Sequence, residues 1–91
     1  MNIPPCCKVL ADEHRIRILR ALRGGELCVC VLQEQLKLPQ NLLSHHLAIL
    51  RRYRLVHARR DGRRIYYSLN KDTVFSLSIF FSSLCNDRCI R

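Results

Sequence analysis

Much of what an enzyme or an exported protein requires is absent from this 91-residue chain. It has 7 acidic residues, no glycine-rich phosphate loop and no grouping of nucleophile, histidine and acid, so catalysis is not expected. No apolar run approaches the roughly 20 residues of a transmembrane helix, and no charged-then-apolar leader opens the chain. A cytoplasmic protein without a membrane partner is therefore expected. Six cysteines would suit a disulfide-stapled secreted fold, but that reading calls for an export signal and a poor apolar core, whereas 48% of the residues are apolar. The C-x2-C knuckles of structural zinc modules are missing too, because the cysteines fall as Cys6-Cys7, Cys28-x-Cys30 and Cys85-x3-Cys89. In a reducing compartment such thiols are metal ligands or redox sensors rather than staples. No internal repeat, low-complexity run or second domain is visible. Residues 1–91 are read as one domain, short enough that a partner subunit would help bury its surface.

Positive charge is abundant and concentrated. The net charge is +9, and 13 of the 16 basic residues are arginine, whose planar fork matches phosphate oxygens. Seven arginines (51, 52, 54, 59, 60, 63 and 64) lie within one short stretch against a single acid, Asp61. Charge focused in this way points to a polyanion, nucleic acid or an anionic membrane, in preference to an ordinary solvated face.

Periodicity sets the elements. After Pro4-Pro5 a short helical turn over 6–10 is expected. Asp12 is a good N-cap for a helix over 13–22, in which Ile16, Leu19 and Leu22, with Ile18 beside them, form a core stripe that Gly24-Gly25 end. A third helix over 28–37 buries Val29, Leu32 and Leu36 and stops before Pro39. A fourth, over 40–52, turns Leu43, Leu47 and Leu50 one way and Asn41, Ser44, His45, Ala48 and Arg52 the other. Two helices joined by a tight turn, the second with an outward row of hydrogen-bonding side chains, is the pattern that enters a major groove. Residues 55–69 read as a hairpin around a type I′ turn at Asp61-Gly62, with Arg59, Arg60, Arg63 and Arg64 at its tip. A closing helix over 72–84 carries apolar residues around more than one face, which suits a subunit interface. The fold class is mainly α with a β-hairpin wing, a winged helix-turn-helix acting as a homodimer.

Three segments carry a family resemblance: Leu10-Ala11-Asp12-Glu13-His14-Arg15-Ile16-Arg17-Ile18-Leu19, Glu26-Leu27-Cys28-Val29-Cys30 and Ser44-His45-His46-Leu47. Over residues 7–69 the chain resembles the ArsR/SmtB family of metal-sensing winged-helix repressors. The resemblance implies a repressor that leaves double-stranded operator DNA when arsenite, antimonite or another thiophilic ion (cadmium, lead or zinc) binds the thiolates of Cys28 and Cys30. No organic cofactor is implied. Soft thiolates at a helix start suit such ions; the plainer alternative is a packed pair of small apolar residues. Many arsenite sensors have a third cysteine where this chain has Gln33. In cadmium and lead sensors N-terminal cysteines complete the site across the dimer, which makes Cys7 and Cys6 the first choice for a third ligand here. Cys85 and Cys89, four apart, could form a second site, supply a replacement third ligand, or be exposed tail thiols. The Asp and His ligands that zinc and cobalt members use on their last helix are not expected, since no histidine follows His57.

For DNA, the resemblance implies groove-facing roles for Gln40, Asn41, Ser44 and His45, and phosphate or minor-groove contacts for Arg52, Arg60, Arg63 and Arg64, with His46 packed inside. Arg54 stands where relatives usually end this helix with glycine. Metal capture is expected to move the third helix against the fourth. The alternatives are oxidation or persulfidation of the same thiols in the same fold, and a basic architectural or RNA-binding module whose cysteines are incidental.

Overall fold

The computed structural model describes residues 5–85, with side chains from residue 7 onward. Its elements are α1 (Pro5–Val9), α2 (Glu13–Ala21), a 3-10 turn (Leu22–Gly24), β1 (Leu27–Cys28), α3 (Val29–Leu36), α4 (Gln40–Arg52), β2 (Val56–Asp61), β3 (Arg64–Leu69) and α5 (Lys71–Ser83). The strands form one antiparallel sheet in the order β1-β3-β2.

Local chemistry accounts for the helix ends. Asp12 caps α2 as expected, its carboxylate accepting from the amides of His14 (2.8 Å) and Arg15 (3.3 Å). At the end of α3 the left-handed Lys37 (φ 54°) closes the turn, and the Arg17 guanidinium donates to the Leu36 carbonyl at 2.8 Å, satisfying an acceptor that the helix leaves open. The end of α4 is a complete Schellman cap: the amide of Leu55 donates to the Leu50 carbonyl (2.9 Å) and that of Arg54 to Arg51 (3.0 Å). Arg54 itself takes the left-handed conformation, φ 60°, that glycine would occupy without strain. Leu50 and Leu55, which meet across such a cap, are both buried.

The core joins α2, α3, α4 and the base of the wing. Ile18, Leu22, Leu32, Leu43, Leu47, Leu50 and Leu55 are the largest fully enclosed side chains, with Val56 and Leu77 beside them. The α4 stripe is as expected. On α2 the buried residue is Ile18, followed by Leu22 at the start of the 3-10 turn, while Ile16 and Leu19 are half-buried. His46 is 5% exposed, with its Nε2 3.9 Å from Asp12 and ring contacts to His14 and His45. Burial first of all pushes its pKa below the ordinary 6.5. It is a packed histidine whose neutral form burial favours.

Two expectations require correction. The hairpin turn is Gly62-Arg63, closed by the pair Asp61 and Arg64, with positive φ at Gly62 (63°) and not at Arg63. That excludes a type I′ turn, which needs positive φ at both central residues. The third helix begins at Val29, because Leu27 and Cys28 pair with Tyr67 and Tyr66 of β3. The wing sheet thus has a third strand, and α3 packs on α2 and on the strands β1 and β3.

Replacing the strained left-handed residue by glycine removes a penalty of about 1 kcal/mol. Arg54→Gly is expected to raise the urea midpoint by a corresponding amount; an unchanged or lower midpoint contradicts that assignment of strain.

Candidate metal centre and nucleic-acid interface

Cys28 is the last residue of β1 and the N-cap residue of α3, extended at φ −70° and ψ 148°; Cys30 lies inside the helix. Within a regular helix, side chains two apart point away from each other. The strand-to-helix corner brings these two together, with the Cys30 thiol donating to the Cys28 sulfur at 3.1 Å. Cys28 is buried and Cys30 exposed, so the pair opens to solvent on one side only.

The two sulfurs differ in acidity. Cys28 is held below its ordinary 9.0, chiefly by the hydrogen bond from Cys30, with help from the amides of Cys30 and Val31 and the nearby Arg64 cation. Cys30 is pushed up, first by that same hydrogen bond. Cys28 is therefore the sulfur that ionises first, and Cys30 the one that keeps its proton longer. Two thiolates about 2.3 Å from a tetrahedral ion stand roughly 3.8 Å apart, so a separation of 3.1 Å needs only a small opening to hold one soft ion. The donor set fits two ligands of such a site. Among the described residues no group of three or more Cys, His, Asp or Glu is close enough to hold a metal.

Among the described residues no third cysteine joins the pair in a group of metal-ligand types. Cys7 on α1 is half-buried against the core. The side chain of Cys6 lies outside the description. Cys85, just past α5, is exposed, and Cys89 is beyond the described residues.

The sulfur pair shares its surroundings with the outer face of α4. Cys28, Cys30 and Gln33 line an open groove of about 930 Å³ together with Gln40, Ser44, Ala48, Arg51 and Arg52 of α4 and Arg63, Arg64, Ile65 and Tyr67 of the wing. Gln40, Asn41, Ser44, His45 and Arg52 are all exposed, as are Arg60, Arg63 and Arg64. Among the described residues, Arg60 donates only to the Gly62 carbonyl, at 3.3 Å. Asn41 accepts from the Leu42 amide at 2.9 Å, leaving its amide nitrogen outward.

One cluster was not legible beforehand. Arg59 donates to both Glu26 carboxylate oxygens, at 2.7 and 3.1 Å, and its guanidinium lies 4.7 Å from the Tyr66 ring centre. Glu26 belongs to the cysteine segment and Arg59 to the wing, so nothing in their spacing announces the contact. Phe75, Ile79 and Phe81 of α5 and Leu84 just after it stay exposed, Phe75 by 65%.

A tight helical pair followed by a wing defines the protein as a winged helix-turn-helix regulator. The family model described as "Bacterial regulatory protein, arsR family" matches residues 12–58. The chain belongs to that family. It is 40% identical to an arsenical resistance operon repressor of Staphylococcus aureus, over 91% of this chain and 82% of the relative. It is 48% identical to a transcriptional repressor SmtB homolog of Synechocystis, over 75% of this chain but only 52% of that relative's length. A Mycobacterium bovis protein, solved by NMR as a homodimeric winged helix-turn-helix DNA-binding domain, shares 31% identity at a TM-score of 0.72, covering 86% of this chain and 72% of that one.

In a variant whose only cysteines are Cys28 and Cys30, thiolate absorption near 240 nm is expected to rise first below pH 9.0, the ordinary thiol value. Adding Cys30→Ala removes the main cause and should move the remaining transition upward. A transition that stays put would show that the sulfur contact does not set the acidity.

Proposed function

We propose that the chain is a metalloid-responsive transcriptional repressor, which binds operator DNA as a homodimer and lets go when Cys28 and Cys30 capture trivalent arsenic or antimony. The observation that carries this reading is the shared groove: the sulfur pair, the outer face of α4 and the wing arginines line one concavity. Gln40, Asn41, Ser44 and His45 read base edges in the major groove, and Arg52, Arg60, Arg63 and Arg64 meet phosphates or the minor groove. The exposed apolar side of α5 supports the dimer, with the homodimeric M. bovis relative as precedent. Residues 1–91 act as one DNA-binding unit, working by binding rather than catalysis, in the cytoplasm.

The preference among ions follows from the sulfur spacing. Pyramidal trivalent arsenic and antimony close the angle between sulfurs, and so need less opening of a 3.1 Å pair than tetrahedral zinc or cadmium. A bound ion supplies strong bonds to soft sulfur that hold the strand-to-helix corner in one geometry. The protein's own part is to favour ionisation of Cys28 and to tie the corner to α4 and the wing. Cys7 or Cys6 of the second subunit is the third ligand, and Cys85 with Cys89 is a separate candidate site. Cadmium or lead is the next choice of inducer.

A second reading keeps the fold and makes the thiols a redox sensor, favoured by the 3.1 Å approach of the two sulfurs. Peroxide would oxidise the pair to a disulfide and leave as water, a mass loss of two hydrogens that ion binding does not cause.

Operator duplexes selected from a random pool allow the test by fluorescence anisotropy. Arsenite should weaken binding about a hundredfold, equivalent to about 2.7 kcal/mol of coupling, and Cys28→Ser should abolish the response. Equal affinity with and without every thiophilic ion sinks the metal arm. Arg63→Ala should lower the salt slope of log affinity by about 1 without changing the preferred sequence; a changed preference would make it a base reader.

A further inference from the structure

The sheet register places Cys28, Tyr66 and Arg59 in a single transverse row, since Cys28 pairs with Tyr66 and Tyr66 with Arg59. Directly paired residues of an antiparallel sheet put their side chains on the same face. Leu27 and Tyr67, the next pair along, turn to the core side. Alternation adds Arg64 and Asp61 to the outer face of the Cys28 row.

The side chains of this face touch one another in sequence. Glu26 grips Arg59 through two hydrogen bonds, Arg59 lies over Tyr66, and its other nitrogen is 3.9 Å from Asp61. Arg64, on the same face, has its charged form favoured first by Tyr66 and then by the two sulfurs. Glu26, two residues before Cys28, thus joins the cysteine segment directly to Arg59 of β2, across the Tyr66 ring of β3.

We propose that Glu26, Tyr66 and Arg59 form a cross-sheet relay that transmits the state of the Cys28–Cys30 pair to the wing, with Glu26 and Arg59 as positioning residues rather than ligands. The proposal rests on the metalloid-sensor reading above. Glu26 sits two residues from Cys28, so a shift of the corner that opens the sulfurs around an ion carries the carboxylate with it. Arg59 follows through its paired hydrogen bonds and moves β2 and the arginine-rich tip. Stability alone does not explain such an arrangement, because the ion pair is exposed (54% at Arg59, 35% at Glu26) and exposed pairs contribute about 0–1 kcal/mol. The same limit sizes the effect: about fivefold in coupling, since 1.4 kcal/mol corresponds to tenfold.

The full-length protein and three measurements test the relay: arsenite affinity without DNA from sulfur-to-arsenic absorption, operator affinity with and without arsenite, and hydrogen exchange of the wing amides. Glu26→Gln should keep both the arsenite affinity and the ion-free operator affinity within about twofold. The arsenite-induced loss of operator affinity should shrink by about fivefold. In the wild type, arsenite should alter exchange in β2 and β3; in Glu26→Gln the change should stay in β1 and α3. The swap of Glu26→Arg with Arg59→Glu should recover at least half of the lost response. An unaltered arsenite response in Glu26→Gln overturns the relay, as does an arsenite affinity more than tenfold weaker without DNA, which would make Glu26 part of the ion site. If wild-type protein binds arsenite yet holds its operator unchanged, the sensor reading fails and the relay with it.

Discussion

The backbone pairing of Leu27 and Cys28 with Tyr67 and Tyr66 is the constraint on which the arrangement of the candidate site depends. Side chains alternate along a strand, so this register puts Leu27 on the core side of the sheet and Cys28 on the opposite side, where α3 still buries it; a slip of one residue would reverse both. With the register held, α3 must start at Val29, and the extended Cys28 can meet a sulfur on the first turn of the helix. The same two backbone pairs join the cysteine segment to the wing. A change at the sulfurs therefore has a short mechanical route into the sheet, in addition to the shared groove that leads to α4.

Electrostatics organises the rest of that surface. Burying Leu43, His46, Leu47 and Leu50 leaves α4 no freedom to roll, which keeps Gln40, Ser44 and His45 facing outward. Arg51 and Arg52 end the helix, where cations interact well with its negative pole. On the wing, the acids Glu26 and Asp61 offset Arg59, while Arg60 and Arg63 have no acidic partner among the described residues. The positive field is thus graded, compensated at the Arg59 row and open at the tip. The opposite requirement governs α5, whose uncovered phenylalanines make sense only against another apolar surface.

Periodicity and composition were enough to read the helix pair, the leucine stripe of α4, the Asp12 cap and the arginine-rich hairpin. Each of these depends on residues near one another in the chain, or on a repeat that matches a helix or strand. The Schellman cap at Arg54 was half legible: the missing glycine was apparent, but only the buried contact of Leu50 with Leu55 shows what holds the strained residue in place. The hairpin turn was displaced by one residue, because the pairing of Asp61 with Arg64 outweighed the local preference of Asp-Gly.

By itself the sequence determined that a soft thiol pair, a reading helix and a basic wing exist in one short chain, since residue chemistry and spacing carry that information. Tertiary structure alone decided that Cys28 ends a strand, that its sulfur lies 3.1 Å from Cys30, and that Glu26 reaches Arg59. A two-residue strand has too few residues to show a period, and an ion pair spanning 33 positions exists only once the sheet has closed.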